Sequence, residues 1–477
     1  MQKDDALLAI APYKRISVGT MTVVFVATMC DQIFDLVFLR LLAAAALIVF
    51  IANEWHGTAR VGKLMIAIVT LVATLAWARA GVTPAVLLEA ITRGAFFVSF
   101  FVATGLLQEA AVASPTMSAC GEYFVHQPPA RRYFMLSVGS HLCAVVLSLA
   151  TLNLLAAVIN KTNTMENAGG RTWVRDIRRR RMATALMRGV NTTVFWSPLS
   201  IALIVTHTSI GYGKVADFIP YGLVTAAVFL LWGWLIDVLS VPMDLRASVT
   251  PLRSRHHWTV LLRIVGIVAA IFIVAWSASI ILGTTLLVAM LIVLPFLSFI
   301  WTLNCMPGAR LRERFEQTAT RFSKHVRERF PEYRAETSMV ATAGALSVIV
   351  AGLVPADVIA ALISATGLSG YGLLISMMLL VIALGQIAIV PLVSVSILAS
   401  ILPPPQTLGM SPEIIMLALV GAWALTVQSS VFTGLTLLTA RLFDERPETV
   451  VYRWNLVYSC TGLLLLGAIL AAGLMFR

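Results

Sequence analysis

Apolar runs of about twenty residues recur from one end of this chain to the other, each long enough to cross a bilayer as a helix. Nothing else constrains the fold as strongly, because hydrocarbon admits only structures that satisfy their own backbone hydrogen bonds. The 477 residues are 59% hydrophobic and 12% charged, with mean hydropathy +0.89; a soluble domain is nearer a quarter charged. A β-barrel would instead show ~10-residue alternating segments. The sequence therefore predicts an all-α polytopic membrane protein. Its net charge of +12 does not point to nucleic acid. The basic residues gather between apolar runs, where retention on the inner face accounts for them. The five cysteines, Cys30, Cys120, Cys143, Cys305 and Cys460, are dispersed without CxxC spacing. They indicate neither a disulfide framework nor a metal site. The opening MQKDDALLAIAPYKR lacks a signal-peptide layout, since Lys3, Asp4 and Asp5 precede only a short apolar run.

About eleven transmembrane helices are expected, near 16–30, 35–53, 61–79, 91–112, 182–207, 217–238, 258–276, 278–301, 338–354, 413–440 and 453–475. Two further stretches, 133–160 and 371–402, would overshoot a ~30 Å core as single helices and fall short of two crossings. They are read as re-entrant hairpins; one long tilted helix is the alternative. Loop charge favours hairpins. With them, the inner connections hold Arg131 and Arg132, the six arginines of RTWVRDIRRRR (171–181), Arg246, Arg253 and Arg255, eight Lys/Arg from Arg310 to Arg334, and Arg441 and Arg446. The outer connections 355–370 and 402–412 hold no Lys or Arg, as the positive-inside rule requires. If 16–30 merely lies on the membrane, the N-terminus moves outside and the rest stands. In 302–337, Leu311, Phe315, Phe322 and Val326 recur at helical spacing among charges, which predicts an amphipathic helix at the inner face linking two halves.

Those halves repeat one order of parts: crossing, short connection, hairpin, polar-interrupted crossing, plain crossing. The expected division is 1–90 as N-terminal scaffold helices, 91–238 as a first repeat, 239–337 as further scaffold and linker, and 338–477 as a second repeat. A shift of about 233 residues lays Asn153 over Gln386, and a nearly equal one lays FWSPLSIALIVT over VQSSVFTGLTLL. Because the hairpins open to opposite sides, the repeats are inverted, the architecture of many secondary transporters.

The polar interruptions are the candidate site. Pro198 lacks an N–H, so the helix cannot continue intact through NTTVFWSPLS, and broken backbone survives at that depth only against protein or a wet cavity. Asn191, Thr192, Thr193, Ser197, Pro198 and Ser200 form the first break. Thr426, Gln428, Ser429, Ser430, Thr433 and Gly434 form the second. Thr151 and Asn153, and Gln386 and Pro391, come from the hairpin tips. A half-helix that begins at mid-membrane offers free N–H groups and partial positive charge, which suits an anion; one that ends there offers carbonyls, which suit a cation. His141, His207, Asp31 and Asp35 are candidates for coupling. Arg188, two turns into its crossing, is expected to snorkel to the inner headgroups. Glu109 and Asp237 are expected at the surface.

At GVNTTVFWSPLS, with Gly189, Thr193, Ser197 and Pro198 in fitting places, the chain resembles the ion transporter superfamily of divalent anion/sodium symporters and citrate and arsenite carriers. The resemblance spans roughly 91–238 and 338–475. It departs at the hairpin tips, where Leu152-Asn153-Leu154 and Gly385-Gln386-Ile387 stand in place of Ser-Asn-Thr. It implies a scaffold domain, often dimeric, and a transport domain that moves as an elevator, with 133–238 and 371–475 in the moving part. The function expected is secondary active transport of a small anionic organic solute across the inner membrane, coupled to H⁺ or Na⁺, by a homodimer without cofactor or metal. An ion channel lined by the same breaks is the alternative. A membrane-embedded enzyme ranks last, because no HExxH motif, clustered His and carboxylates or GxSxG elbow is present.

Overall fold

Helix boundaries fall where the sequence supplies local chemistry for them. The structure, a computed structural model, describes residues 12–79, 82–240, 258–308, 310–354, 356–368 and 370–475; the N-terminal stretch weighed above as a leader, up to Ala11, and Arg246, Arg253 and Arg255 lie outside them. Every regular element among the described residues is helical. Pro115, Pro391 and Pro412 open helices, where a missing N–H has no partner to lose. Nine helices among the described residues are long and apolar enough to cross a membrane. The protein is thus an all-α, multi-pass membrane protein. Two expected crossings fall outside this count: Val37–Asn53 is only 17 residues long, and 182–207 is interrupted.

Several boundaries differ from expectation. The arginine run is helical, because Thr172–Thr192 starts ten residues before its apolar part; arginine is a good helix former. The connections 113–132 and 355–370 hold short helices, Pro115–Val125 and Ala356–Thr366. The turn expected at 277 lies instead at Gly283 (φ +61°), followed by Thr285, whose hydroxyl accepts from the Val288 N–H at 3.3 Å. The glycine C-cap and threonine N-cap together end one helix and start the next.

The chain forms two compact units, Met1–Ala110 with Ser277–Ala356, and Ala111–Trp276 with Asp357–Arg477. In the first unit, Pro12–Phe34 and Val37–Asn53 form an antiparallel pair. Asn53 Nδ2 donates to Tyr13 O at 2.8 Å and to Ser17 Oγ at 2.7 Å, so the far ends meet. The turn between them holds Asp35 (φ +51°). Helices Pro84–Ala113 and Arg334–Leu353 cross at Gly94 and Gly344. A Cβ at Gly94 would stand 2.7 Å from Ala341 O, and one at Gly344 would stand 2.9 Å from the Phe97 ring. Small residues let helices approach closely where lipid supplies no hydrophobic drive.

The amphipathic helix is Leu311–Glu332. It belongs wholly to the first unit. Leu311 and Phe315 are exposed, while Thr318 and His325, seven residues apart, are buried. Glu109 is half-buried rather than at the surface, paired to Arg321 at 2.7 Å and to His325 Nδ1 at 3.2 Å. Burial pushes the Tyr333 phenol up to about 12, so it stays neutral beside His325 Nε2 at 3.2 Å.

Gly94→Val is expected to destabilise the protein by about 1–3 kcal/mol through overpacking. Thermal denaturation in detergent should show a lowered midpoint, while Gly266→Ala, with nothing within 4 Å of its Cβ position, should leave it unchanged.

Candidate functional site

All the polar breaks lie in the second unit. Its first arm pair is Pro129–Leu147 and Ala150–Thr162, joined at Ser148, which adopts φ +49°. The arms lie side by side. Helix Pro115–Val125 touches one through Phe124, whose ring fills the space of a Cβ at Gly139. It touches the other through Gly121, whose Cβ position lies 3.0 Å from Leu155. Were the arms collinear, residues 139 and 155 would stand about 24 Å apart. The second pair, Gly370–Gln386 and Pro391–Ile401, turns at Ala388 (φ +68°).

The first broken helix runs Thr172–Thr192, continues as one 3₁₀ turn over Thr193–Phe195, opens at Trp196–Ser200 and restarts as Ile201–Ile210. The second runs Pro412–Ser429, opens at Ser430–Thr433 and restarts as Gly434–Leu442. Both breaks are built alike. Ser197 Oγ accepts from Leu199 N–H at 3.3 Å, and Ser430 Oγ accepts from Phe432 N–H at 3.2 Å. Asn191 Nδ2 donates to Ala424 O at 2.9 Å, across 233 residues of sequence. The same offset relates Ser197 to Ser430, Ser200 to Thr433, the restarts at Ile201 and Gly434, and the left-handed residues Gly211 and Asp444 that follow them. It differs by one from the overlay of FWSPLSIALIVT on VQSSVFTGLTLL, which paired Ser197 with Ser429.

Freed backbone groups find side chains. Thr193 Oγ1 donates to Val190 O and Thr433 Oγ1 to Val427 O, each at 2.8 Å. Ser430 also donates to Gly385 O at 2.8 Å, which ties the second arm tip to the second break. His141 ties the first arm pair to the first break. Trp196 Nε1 donates to its Nε2 at 3.0 Å, so Nδ1 carries the proton of the neutral ring and donates to Thr192 Oγ1 at 2.9 Å. Thr192 passes its own hydrogen to Gly189 O at 2.8 Å.

A cavity of about 210 Å³ opens between the breaks. It is lined by Ser148 and Leu149 from the first arm tip, by Asn191, Thr193, Ser197, Ser200, Ile201 and Ala202, and by Trp423, Val427, Thr433, Gly434 and Leu435. Both restarts therefore face it. Neither is capped by its own side chain, and the N–H groups of Ile201, Ala202, Gly434 and Leu435 have no acceptor among the described residues. Asn191 is buried, and its Oδ1 has no partner among the described residues. Among the described residues, no charged side chain lines the space.

Other expected site residues lie elsewhere. Thr151 is buried with its hydroxyl unpaired, but Asn153 is exposed, because the turn comes at Ser148, a helical turn earlier. Pro198 is buried in the break, outside the lining. Gln386 is exposed and bonded to Ser429 Oγ at 3.3 Å. Thr426 Oγ1 is spent on Ala422 O at 2.7 Å, and its methyl packs where Gly385 has no side chain. Gln428 is fully buried with both amide atoms unpaired, outside the cavity. His207 meets Gly213 O at 3.1 Å at the end of its half-helix. Asp31 and Asp35 belong to the first unit, both paired to Arg40. Ser148 and Trp423 were missed; a serine within an apolar run was the one signal for the former.

Arg188 does not snorkel. It is buried, with Nε on Asn455 Oδ1 at 2.9 Å, one Nη on Tyr133 OH at 2.9 Å, the other on Trp454 O at 3.0 Å, and its carbon 4.4 Å above the Tyr458 ring. Asp237 is buried too, in a bidentate pair with Arg181 at 2.8 and 2.7 Å, which corrects its expected surface place. Helical partners so far along the chain leave no local sequence signal.

No family model and no curated protein matches this chain. Among solved structures, the YdaH transporter of Alcanivorax borkumensis, described as having an unusual topology, aligns at TM-score 0.50 and 14% identity over 79% of this chain and 85% of that one. At that identity the likeness is one of fold. MtrF of Neisseria gonorrhoeae, described as illuminating a class of antimetabolite efflux pumps, aligns at 0.46 and 14% over 77% and 80%.

Ser430→Ala removes an acceptor and a donor that bridge two elements, and Ser197→Ala removes one acceptor. The expected losses are about 2 and 1 kcal/mol, read as a larger fall in thermal midpoint for the Ser430 variant.

Proposed function

We propose that the protein is a secondary active transporter for a small anionic organic solute. The observation that carries this reading is the convergence of two uncapped half-helix starts on one cavity that no charged side chain among the described residues lines. Each start carries about half an elementary positive charge, so two together match one carboxylate or similar oxyanion. The unpaired Oδ1 of Asn191 would accept from a donor on the same solute. The volume, about that of seven waters at ~30 Å³ each, suits a small molecule, and Trp423 and Val427 give it an apolar wall.

The likeness of fold to a transporter and the two broken helices 233 residues apart support a pair of inverted repeats of the ion transporter superfamily type. In this reading 133–160 and 371–402 are re-entrant hairpins, the first unit is a dimeric scaffold, and the second unit moves as an elevator in the inner membrane. Coupling is to H⁺ or Na⁺. His141 is the nearest titratable candidate: protonation of Nε2 would cut its bond from Trp196 inside the break.

A thermal-shift screen of carboxylates, sulfonates and amino acids, with Na⁺ and pH varied, should yield a ligand. Uptake of that ligand into proteoliposomes should follow an imposed ion gradient; flux indifferent to every gradient would overturn active transport. Gly434→Pro deletes one inward N–H at a first helical position, where proline is tolerated. Thr433 before it is already extended (φ −81°, ψ 147°), and the Cβ position is open. Affinity should fall roughly tenfold or more, the worth of a hydrogen bond to a charged group, with the thermal midpoint of the free protein kept.

A further inference from the structure

The second unit has another cavity, of about 260 Å³, at the end that carries the arginine run. Arg180, Arg181, Arg188 and Arg453 line it, with Asp237 as the one acidic residue among the described residues of the lining. Arg181 and Asp237 neutralise each other through their bidentate pair. Arg188 is 5% exposed, yet its hydrogen bonds run to the neutral groups of Asn455, Tyr133 and Trp454. Three of its five N–H groups are used there. Burial first, and then the charge of Arg188, lower the pKa of Arg180. Among the described residues of the lining, positive charges therefore outnumber negative ones, four arginines to one aspartate.

Its wall explains the access. Thr449–Asn455 is a π-helix, a local widening that recurs at functional positions. It turns Trp454 O toward Arg188 and sets Arg453 at the rim. Below the rim, Leu456 and Val457 line the cavity and remain 48% and 62% exposed. A charged recess thus continues directly into an apolar, outward-facing helix surface. The positive-inside rule places this end at the inner face.

We propose that this cavity binds the phosphate oxyanion of an anionic phospholipid, with the acyl chains lying along Leu456 and Val457. Guanidinium forks fit phosphate oxygens in pairs, and basic pockets between membrane helices take such headgroups. A free phosphate ion would satisfy the arginines and leave the apolar skirt unused. The site is separate from the solute cavity and does not depend on what that cavity carries.

The test uses the full-length protein in a neutral detergent, with its thermal midpoint followed against short-chain phosphatidylglycerol, short-chain phosphatidylcholine and inorganic phosphate. Phosphatidylglycerol should raise the midpoint saturably, the other two little. Arg180→Gln with Arg453→Gln removes two exposed charges for which no ion pair or hydrogen bond is found among the described residues, and should weaken that response roughly thirtyfold. An equal response to phosphatidylcholine would overturn the electrostatic basis, and an equal response to inorganic phosphate would overturn the lipid. An unchanged response in the double variant would overturn the site, and its unliganded midpoint should match that of the parent.

Discussion

A peptide group inside hydrocarbon must find a partner within the protein, and the second unit is organised by how two interrupted helices meet that demand. Near the C-terminal ends of the first half-helices threonine hydroxyls donate to backbone carbonyls, Thr193 to Val190 and Thr433 to Val427. The turning residues are held by serines two positions back. The N–H groups of Ile201, Ala202, Gly434 and Leu435 at the restarts have no acceptor among the described residues, and these four residues line one cavity. Satisfaction at one end of each gap and vacancy at the other separate a scaffold from a site.

Much of this was legible in residue order, and the reasons are local. Proline at 198 is costly inside a helix and tolerated where one stops, and the interruptions fall there and at the hydroxyl residues 197, 200, 430 and 433. Exact positions were less legible. Asn153 looked like a tip residue, yet the chain turns at Ser148, whose positive φ is tolerated by a residue type that gives no warning of it. The turn at Gly283 to Thr285 carried a clear cap signature, lost beneath the hydrophobicity on either side. Partners distant in sequence were out of reach: nothing near Arg188 announces Asn455, Tyr133 or Trp454.

Two ways of presenting positive charge coexist in the second unit. Around the cavity between the breaks it comes from backbone dipoles, which carry no flexible side chain to order and no ion to desolvate. Near the arginine run it comes from guanidinium groups, of which Arg188 is held by neutral acceptors and an aromatic face. The first is weaker and fixed in direction, which suits a ligand that must leave again; the second is stronger and suits one that stays.

The hydrogen bond from Asn191 to Ala424 joins the two breaks at corresponding positions, 233 residues apart. Position 424 is an alanine, so it can return no amide of its own, and the strut exists in one sense only. A twofold exchange of the two segments would lose it. The pairing is therefore one-sided in sequence: the side chain of the first half-helix holds the backbone of its counterpart, and the counterpart holds nothing in return at the matching position.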